Sequence, residues 1–519
     1  MTAPRWAARL TRAASGLVVL GTVGAVVGAA GIVAAPAPEP VPATLIEVEP
    51  ARTTLVCPGP LQQPEATSVG GFDTTPVAPV LRVRGLSVPG AADDAAPAEM
   101  TLLGEGAATV ELTGRSARTA VLADAAAPVL LQGDAQDGSP AWLAGATSAR
   151  VSAGDLRGLA AAGCQAPASD LWLVGGSTEI GSSAFLVIEN PGATTTDVAV
   201  ELWGPAGQID LAGSARYLVA PGAQRVVVLS GVAAEQRRLV AHLTTTGGAV
   251  SAYLQDSRLR GFTAAGTDLV VPGAPPAARQ VVAGVLVEES SVDDVNQPVL
   301  RLLAPGADGS TARLTLLGED GPVSLPGADE IPLTGGVVTD VPLGGLPAGA
   351  YTVVVDADVP LVAAAMLTRA GAPSELDPTP TLERAWAAAA APAAGGLVAT
   401  AAGADSTILI ARAPQEGDPA QAGPGEVVLR AYGQRGEVLG EQAVPVAAGH
   451  TARVALSGLG AGVTGVEVVA PDDDPVWAFA VVAEVVQPDG VLAAVLGPAP
   501  AAPGAMRVSV RQGSALGLG

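Results

Sequence analysis

The chain has 519 residues, with 27 basic side chains against 50 acidic ones and a formal net charge of −23. Every basic residue is arginine, and a surface this acidic repels phosphate backbones, which argues against nucleic-acid binding. The apolar content comes from Ala, Val and Leu with 3% aromatics, and 65 Gly and 44 Pro punctuate it. That composition predicts many short strands joined by tight turns, with cores of small aliphatic side chains.

At the N-terminus Arg5, Arg9 and Arg12 precede an uncharged run over 13–35. The run is long enough to cross a bilayer as a helix, and the arginines would hold the N-terminus in the cytoplasm, so residues 1–35 are expected to be a stub plus a retained anchor, or alternatively a cleaved signal. Everything after them is then extracytoplasmic, membrane-tethered or secreted. Residues 36–54 read as a Pro- and Glu-rich spacer in extended form.

Four β units are expected to follow, at 55–170, 171–268, 269–385 and 386–497, with a tail at 498–519 carrying one strand. The first unit shows strand-like runs at 80–88, 100–103, 108–112 and 119–122, while Ser152 and Asp155 ahead of an Ala/Leu-rich stretch suggest a helix over 151–162. Cys57 and Cys164 bracket this unit. An even cysteine count in an exported chain favours a disulfide between them.

The later units share a spaced pattern. A strand ends in Gly-x-x-Gly (204–207, 318–321, 433–436), and a returning strand ends in Leu-x-Gly-Val/Leu (229–232, 343–346, 456–459). The copies recur at about 114 residues, a length suited to one small β domain. Polar–apolar alternation within each unit predicts two antiparallel sheets packed face to face, in tandem immunoglobulin-like sandwiches. The alternative is a β-propeller closed by both chain ends, since Arg507–Arg511 reads as one more strand. Gly-x-x-Gly also clamps nucleic acid in KH domains, but between helices; here it lies between strands and reads as a turn needing positive φ.

Catalytic strings are scarce. No nucleophile elbow, Walker loop or dinucleotide fingerprint occurs in a strand-to-helix setting, and without lysine no Ser-x-x-Lys motif can form. The two histidines, His242 and His450, lie in different units, so no zinc site and no cofactor is expected. The acidic groups at 293–294, at 356 and 358, and at 472–474 read as turn chemistry rather than calcium ligands. Trp203 and Tyr432 sit at matching positions just before the turn glycine, where a strand end is expected to meet solvent. They are the candidate sugar-stacking residues.

The start Leu55–Leu61 (LVCPGPL), Cys164 ahead of Leu171–Ser177 (LWLVGGS) and the Asn190-Pro191-Gly192 turn resemble an uncharacterised family of actinobacterial envelope proteins. That resemblance implies a single-pass or secreted β-protein without an assigned activity, whose genes accompany glycosyltransferase-type genes. The expected function is a non-catalytic structural or binding component of the cell envelope, with envelope polysaccharide or another envelope protein as partner. The rival reading is a glycan-processing enzyme with carboxylates at a unit interface.

Overall fold

The computed structural model of the protein describes residues 5–32, 44–63, 79–89, 95–105, 109–114, 116–306, 308–325, 327, 330–373, 379–414, 416–471, 474–501 and 506–510. The chain divides into two compact units, one of residues 1–48 with 506–519 and one of residues 49–505.

The smaller unit contains a helix, α1 (Arg5–Ile32), and two strands, Thr44–Val48 and Met506–Val510, paired antiparallel. Thr44–Val48 falls in the stretch expected to be an extended spacer; it is instead a strand paired along one edge with the C-terminal strand. The expected membrane span runs past α1 into 33–35, which lie outside the described residues. Gly16, Gly21, Thr22 and Gly24 dilute the apolar face of α1, and Thr22 bonds back to the Val18 carbonyl at 2.9 Å. Among the described residues no helix is long and apolar enough to cross a membrane.

The larger unit is built from strands that repeat one topology four times, over 53–163, 170–270, 277–388 and 395–496. In the second of these modules the first sheet orders strand one (Asp170–Val174), six (Val240–Thr246), three (Thr196–Gly204) and four (Gly207–Ile209), and a short further segment, Arg216–Val219, also pairs strand three. The second sheet orders strand five (Gln224–Val228), two (Ser182–Glu189), seven (Ser251–Arg260) and eight (Thr263–Val270). Modules 1 and 4 have the same order. In module 3 strands six and seven run on as one strand, Gly349–Pro373, which pairs in one sheet up to Ala357 and once more at Leu361, and in the other from Val362. Strands two and five pair, and three and six pair, as in an immunoglobulin sandwich; here strand seven lies beside two rather than six, and it carries an eighth strand.

The eighth strands explain that departure. Gly158–Gly163, Thr263–Val270, Pro380–Ala388 and Gly490–Leu496 pack against one another in cyclic order, so the four modules close around them. Each of the four large apolar cores likewise crosses a seam. Phe185, Tyr253 and Leu269 of module 2 enter the core of module 1, and Leu303, Val362 and Trp386 of module 3 enter that of module 2. Leu409, Ala411 and Ala478 of module 4 join the core of module 3, and Leu86, Ala144 and Leu159 of module 1 join that of module 4.

The helix expected over 151–162 is a strand from Gly158 onward. The Ala/Gly content that imitates a helix serves close approach instead. Ala160, Ala161 and Ala162 are all buried, and a Cβ at Gly158 would lie 2.6 Å from the Thr267 carbonyl oxygen of the neighbouring eighth strand. Small side chains on both faces let four strands meet where larger ones would hold them apart.

The Gly-x-x-Gly turns lie on the same seams. Each joins strands three and four of its module and abuts the residues just before strand five of the next. The Val338 N–H of module 3 donates to the Gly204 carbonyl of module 2 at 3.0 Å. Gly321 of module 3 meets the His450 ring of module 4, and Gly436 of module 4 meets the Ala117 carbonyl of module 1. Module 1 lacks the string, yet its turn at Gly104 meets Gly222 of module 2 in the same way. The Leu-x-Gly string follows strand five: Leu229, Leu343 and Leu456 are buried anchors there, two of them opening a single helical turn.

Candidate functional site

Strands that meet at a centre without forming a common sheet leave edge N–H groups that need acceptors. Two carboxylates supply them. Glu383, on the eighth strand of module 3, accepts from the Leu159 N–H of module 1 at 2.8 Å and the Ala493 N–H of module 4 at 3.4 Å. Asp268, on the eighth strand of module 2, accepts from the Trp386 N–H of module 3 at 2.6 Å. Both are 1% exposed, and burial pushes both acids well above the ordinary carboxylate range. They fasten modules to one another and offer no face to a substrate.

Cys57, at the end of the first strand of module 1, and Cys164, just beyond its eighth, form a disulfide with the Cα atoms 4.1 Å apart. The Val56 and Gln165 backbones bond reciprocally beside it at 2.8 and 2.9 Å. The bridge ties the two sheets of the module together.

Trp203 and Tyr432 do not meet solvent. Trp203 is 6% exposed, stacked on Trp172 with centroids 5.4 Å apart, and Trp172 in turn stacks on His242 at 4.0 Å. His242 lies 3.1 Å from Glu201 and 3.3 Å from Asp170. The 334–338 loop of module 3 covers the strand end that was expected to be open. Tyr432 is 2% exposed, and its hydroxyl donates to Glu467 at 2.6 Å; burial, then Glu467, pushes the pKa of the hydroxyl up. The recess beside it, about 540 Å³ between modules 4 and 1, contains Arg430 matched by Glu441 at 2.6 Å and Glu467 at 3.2 Å. Among the described residues no group of His, Cys, Asp and Glu is placed to hold a metal ion. Asp356 is engaged by Arg279 at 2.6 and 3.0 Å, Asp294 caps the Asn296 N–H at 2.8 Å, and 472–473 lie outside the described residues.

The cleft between modules 2 and 3 is different in kind. It encloses about 240 Å³ and is lined by five arginines: Arg237, Arg258 and Arg260 from module 2, and Arg301 and Arg384 from module 3. Its floor is buried. Arg301 grips Asp340 with two hydrogen bonds, at 2.8 and 3.0 Å, donates to the Gly176 carbonyl at 2.8 Å, and stacks 4.9 Å over the Trp386 ring. Arg384 pairs with Asp256, which also accepts from the Trp386 indole at 3.0 Å. The mouth is open: Arg258 pairs with Glu179 at 2.7 Å but stays partly exposed, and Arg237 is exposed with no ion-pair partner among the described residues.

Counting the lining residues and their ion-pair partners, six guanidiniums including Arg238 face four carboxylates: Glu179, Asp256, Asp294 and Asp340. A chain of net charge −23 thus gathers six guanidiniums around one concavity, against four carboxylates among the described residues. Phe262, two residues after Arg260 at the tip of the hairpin joining strands seven and eight, is 92% exposed. The string Arg258-Leu259-Arg260-Gly261-Phe262, two arginines and an aromatic at a glycine turn, is the sequence signal that could have found this site.

A family model described as a family of unknown function, DUF5719, matches residues 117–457. That stretch opens just before strand five of module 1 and closes just after strand five of module 4, so it covers three full periods of the repeat. No curated protein and no solved structure matches the chain. With more than half of its length matched, the chain belongs to the DUF5719 family of unknown function.

Proposed function

We propose that this protein is a non-catalytic, extracytoplasmic binding component of an actinobacterial cell envelope, held at the membrane through its N-terminal segment or secreted, with its binding site in the cleft between modules 2 and 3. The observation that carries the reading is the concentration of arginines in a concave seam of an otherwise strongly acidic molecule. The disulfide supports an oxidising compartment. Envelope polysaccharide is the proposed partner: Phe262, on the hairpin tip two residues after Arg260, offers an exposed ring for stacking, and the cleft guanidiniums would take hydroxyl or charged substituents. The rival reading, a glycan-processing enzyme, would draw on the interface carboxylates, but Asp256, Asp268 and Glu383 are sealed from solvent, and Glu179 and Asp340 at the cleft are each paired with arginine.

The test is retention of the full-length chain, immobilised, on purified envelope polysaccharide fractions, alongside Phe262→Ala and Arg258→Gln. Saturable retention weakened in either variant is the expected result. Equal retention of all three chains would remove the cleft from the function.

A further inference from the structure

We propose that the cleft between modules 2 and 3 binds a tetrahedral oxyanion, a phosphate or sulfate group, free or carried on a larger ligand. The proposal rests on reading that cleft as the binding site and adds its ligand chemistry. Size comes first. At about 240 Å³ the cavity falls below the roughly 300–1,000 Å³ typical of sites for drug-sized ligands, so it suits one small charged group, with the remainder of any larger ligand outside.

Direction comes second. The five guanidiniums arrive from four separate pieces of chain: the loop at 237, the strand Ser251–Arg260, the strand Val299–Leu303 and the strand Pro380–Ala388. Guanidiniums lining one cleft from several sides match an anion whose oxygens point in several directions. A planar carboxylate would be satisfied by one forked arginine.

Unrelieved charge comes third. Arg258 is held below the usual arginine range, first by burial and then by the neighbouring Arg384 charge, with Arg260 adding to the effect against Glu179 and Asp256. The buried Arg384 Nε has no hydrogen-bond partner among the described residues. Guanidiniums that repel one another, and a buried N–H left over after Asp256 is bound, are both relieved by an added anion. The floor arginines, Arg301 and Arg384, also hold the seam together; Arg237 and Arg258 at the mouth are the ones whose removal tests binding without unfolding the seam.

The experiment is isothermal titration of the full-length chain with sodium phosphate, sodium sulfate, sodium acetate and sodium chloride at matched ionic strength. It uses wild type, Arg237→Gln, Arg258→Gln and the double variant, with the melting temperature measured for each. The expected result is saturable binding of phosphate and sulfate, at least fivefold weaker acetate, and a tenfold or greater loss in the double variant at an unchanged melting temperature. Chloride matching phosphate, or a double variant binding phosphate as wild type does, overturns the proposal. Should Arg258→Gln lower the melting temperature by freeing Glu179, Arg237→Gln alone decides: a loss of threefold or more supports the proposal and no loss overturns it. Displacement of bound phosphate by a phosphodiester-containing polysaccharide would assign the group to a polymer, and displacement by free phosphate monoesters alone to a small ligand; each supports an oxyanion site. Retention on neutral polysaccharide without phosphate or sulfate binding would sink the oxyanion proposal and leave the binding function standing.

Discussion

At Gly436 the backbone has φ of +85°, and a Cβ there would overlap the Ala117 carbonyl oxygen of module 1. Gly138 also has positive φ, +75°, but nothing lies within contact distance of its Cβ position. Both Gly→Ala changes incur left-handed strain of about 1–3 kcal/mol, and Gly436→Ala adds a displaced seam. Chemical denaturation should therefore show Gly436→Ala more destabilising than Gly138→Ala by at least about 1 kcal/mol; equal losses would mean that the seam yields freely. Glu189 calls for a different test. It is fully buried and burial pushes its acid well above the ordinary carboxylate range, so the folded state keeps a proton that the unfolded chain releases. Stability then falls as pH rises from the ordinary carboxylate range toward the raised value. Urea midpoints between pH 5 and 9 should decline with a shallower slope in Glu189→Gln, and the variant should be the more stable chain at the upper end.

At the scale of the strand, the centre depends on Glu383. Glu383→Ala leaves the Leu159 and Ala493 N–H groups without their carboxylate acceptor, at about 1–3 kcal/mol for each buried group left unpaired. Amide hydrogen exchange should quicken at Leu159 and Ala493, in modules 1 and 4, although the substitution is in module 3. Unchanged exchange at both would show that other acceptors serve these strands. The disulfide acts on one module's two sheets and closes a separation of 107 residues, so replacing both cysteines by alanine should cost about 4–5 kcal/mol in the chain-entropy model, read as a lower denaturation midpoint.

At the scale of the larger unit, each of the four large apolar cores crosses a seam, and the last module shares its core with the first. A linear string of domains can lose one end at little cost to the rest; a closed one cannot. Calorimetry should show residues 49–505 unfolding in one cooperative transition, with calorimetric and van't Hoff enthalpies in agreement. Separate transitions would mean that the seams are weaker than the module cores.

The all-β class was legible because alternation, glycine turns and β-branched runs are local properties. The cysteine pair was legible from its even count and from the leader read ahead of it. The strand at Gly158–Gly163 was not: alanine and glycine serve a helix and a crowded strand equally well, and contact with Thr267, a hundred residues on, decides between them. Trp203 and Tyr432 were read as exposed because their own module leaves them at a strand end; the next module buries Trp203, and Glu467 takes the tyrosine hydroxyl. The arginine cleft escaped because its five members are scattered over 237–384, and the local string at 258–262 brings together only two of them. The sequence by itself determined the strands, their turns and the period at which they recur, since these depend on neighbours in the chain. Cyclic closure, the burial of the turn residues and the assembly of the cleft were decided only by the tertiary structure, because each is a contact between modules whose strength lies in shape and charge brought together from far apart.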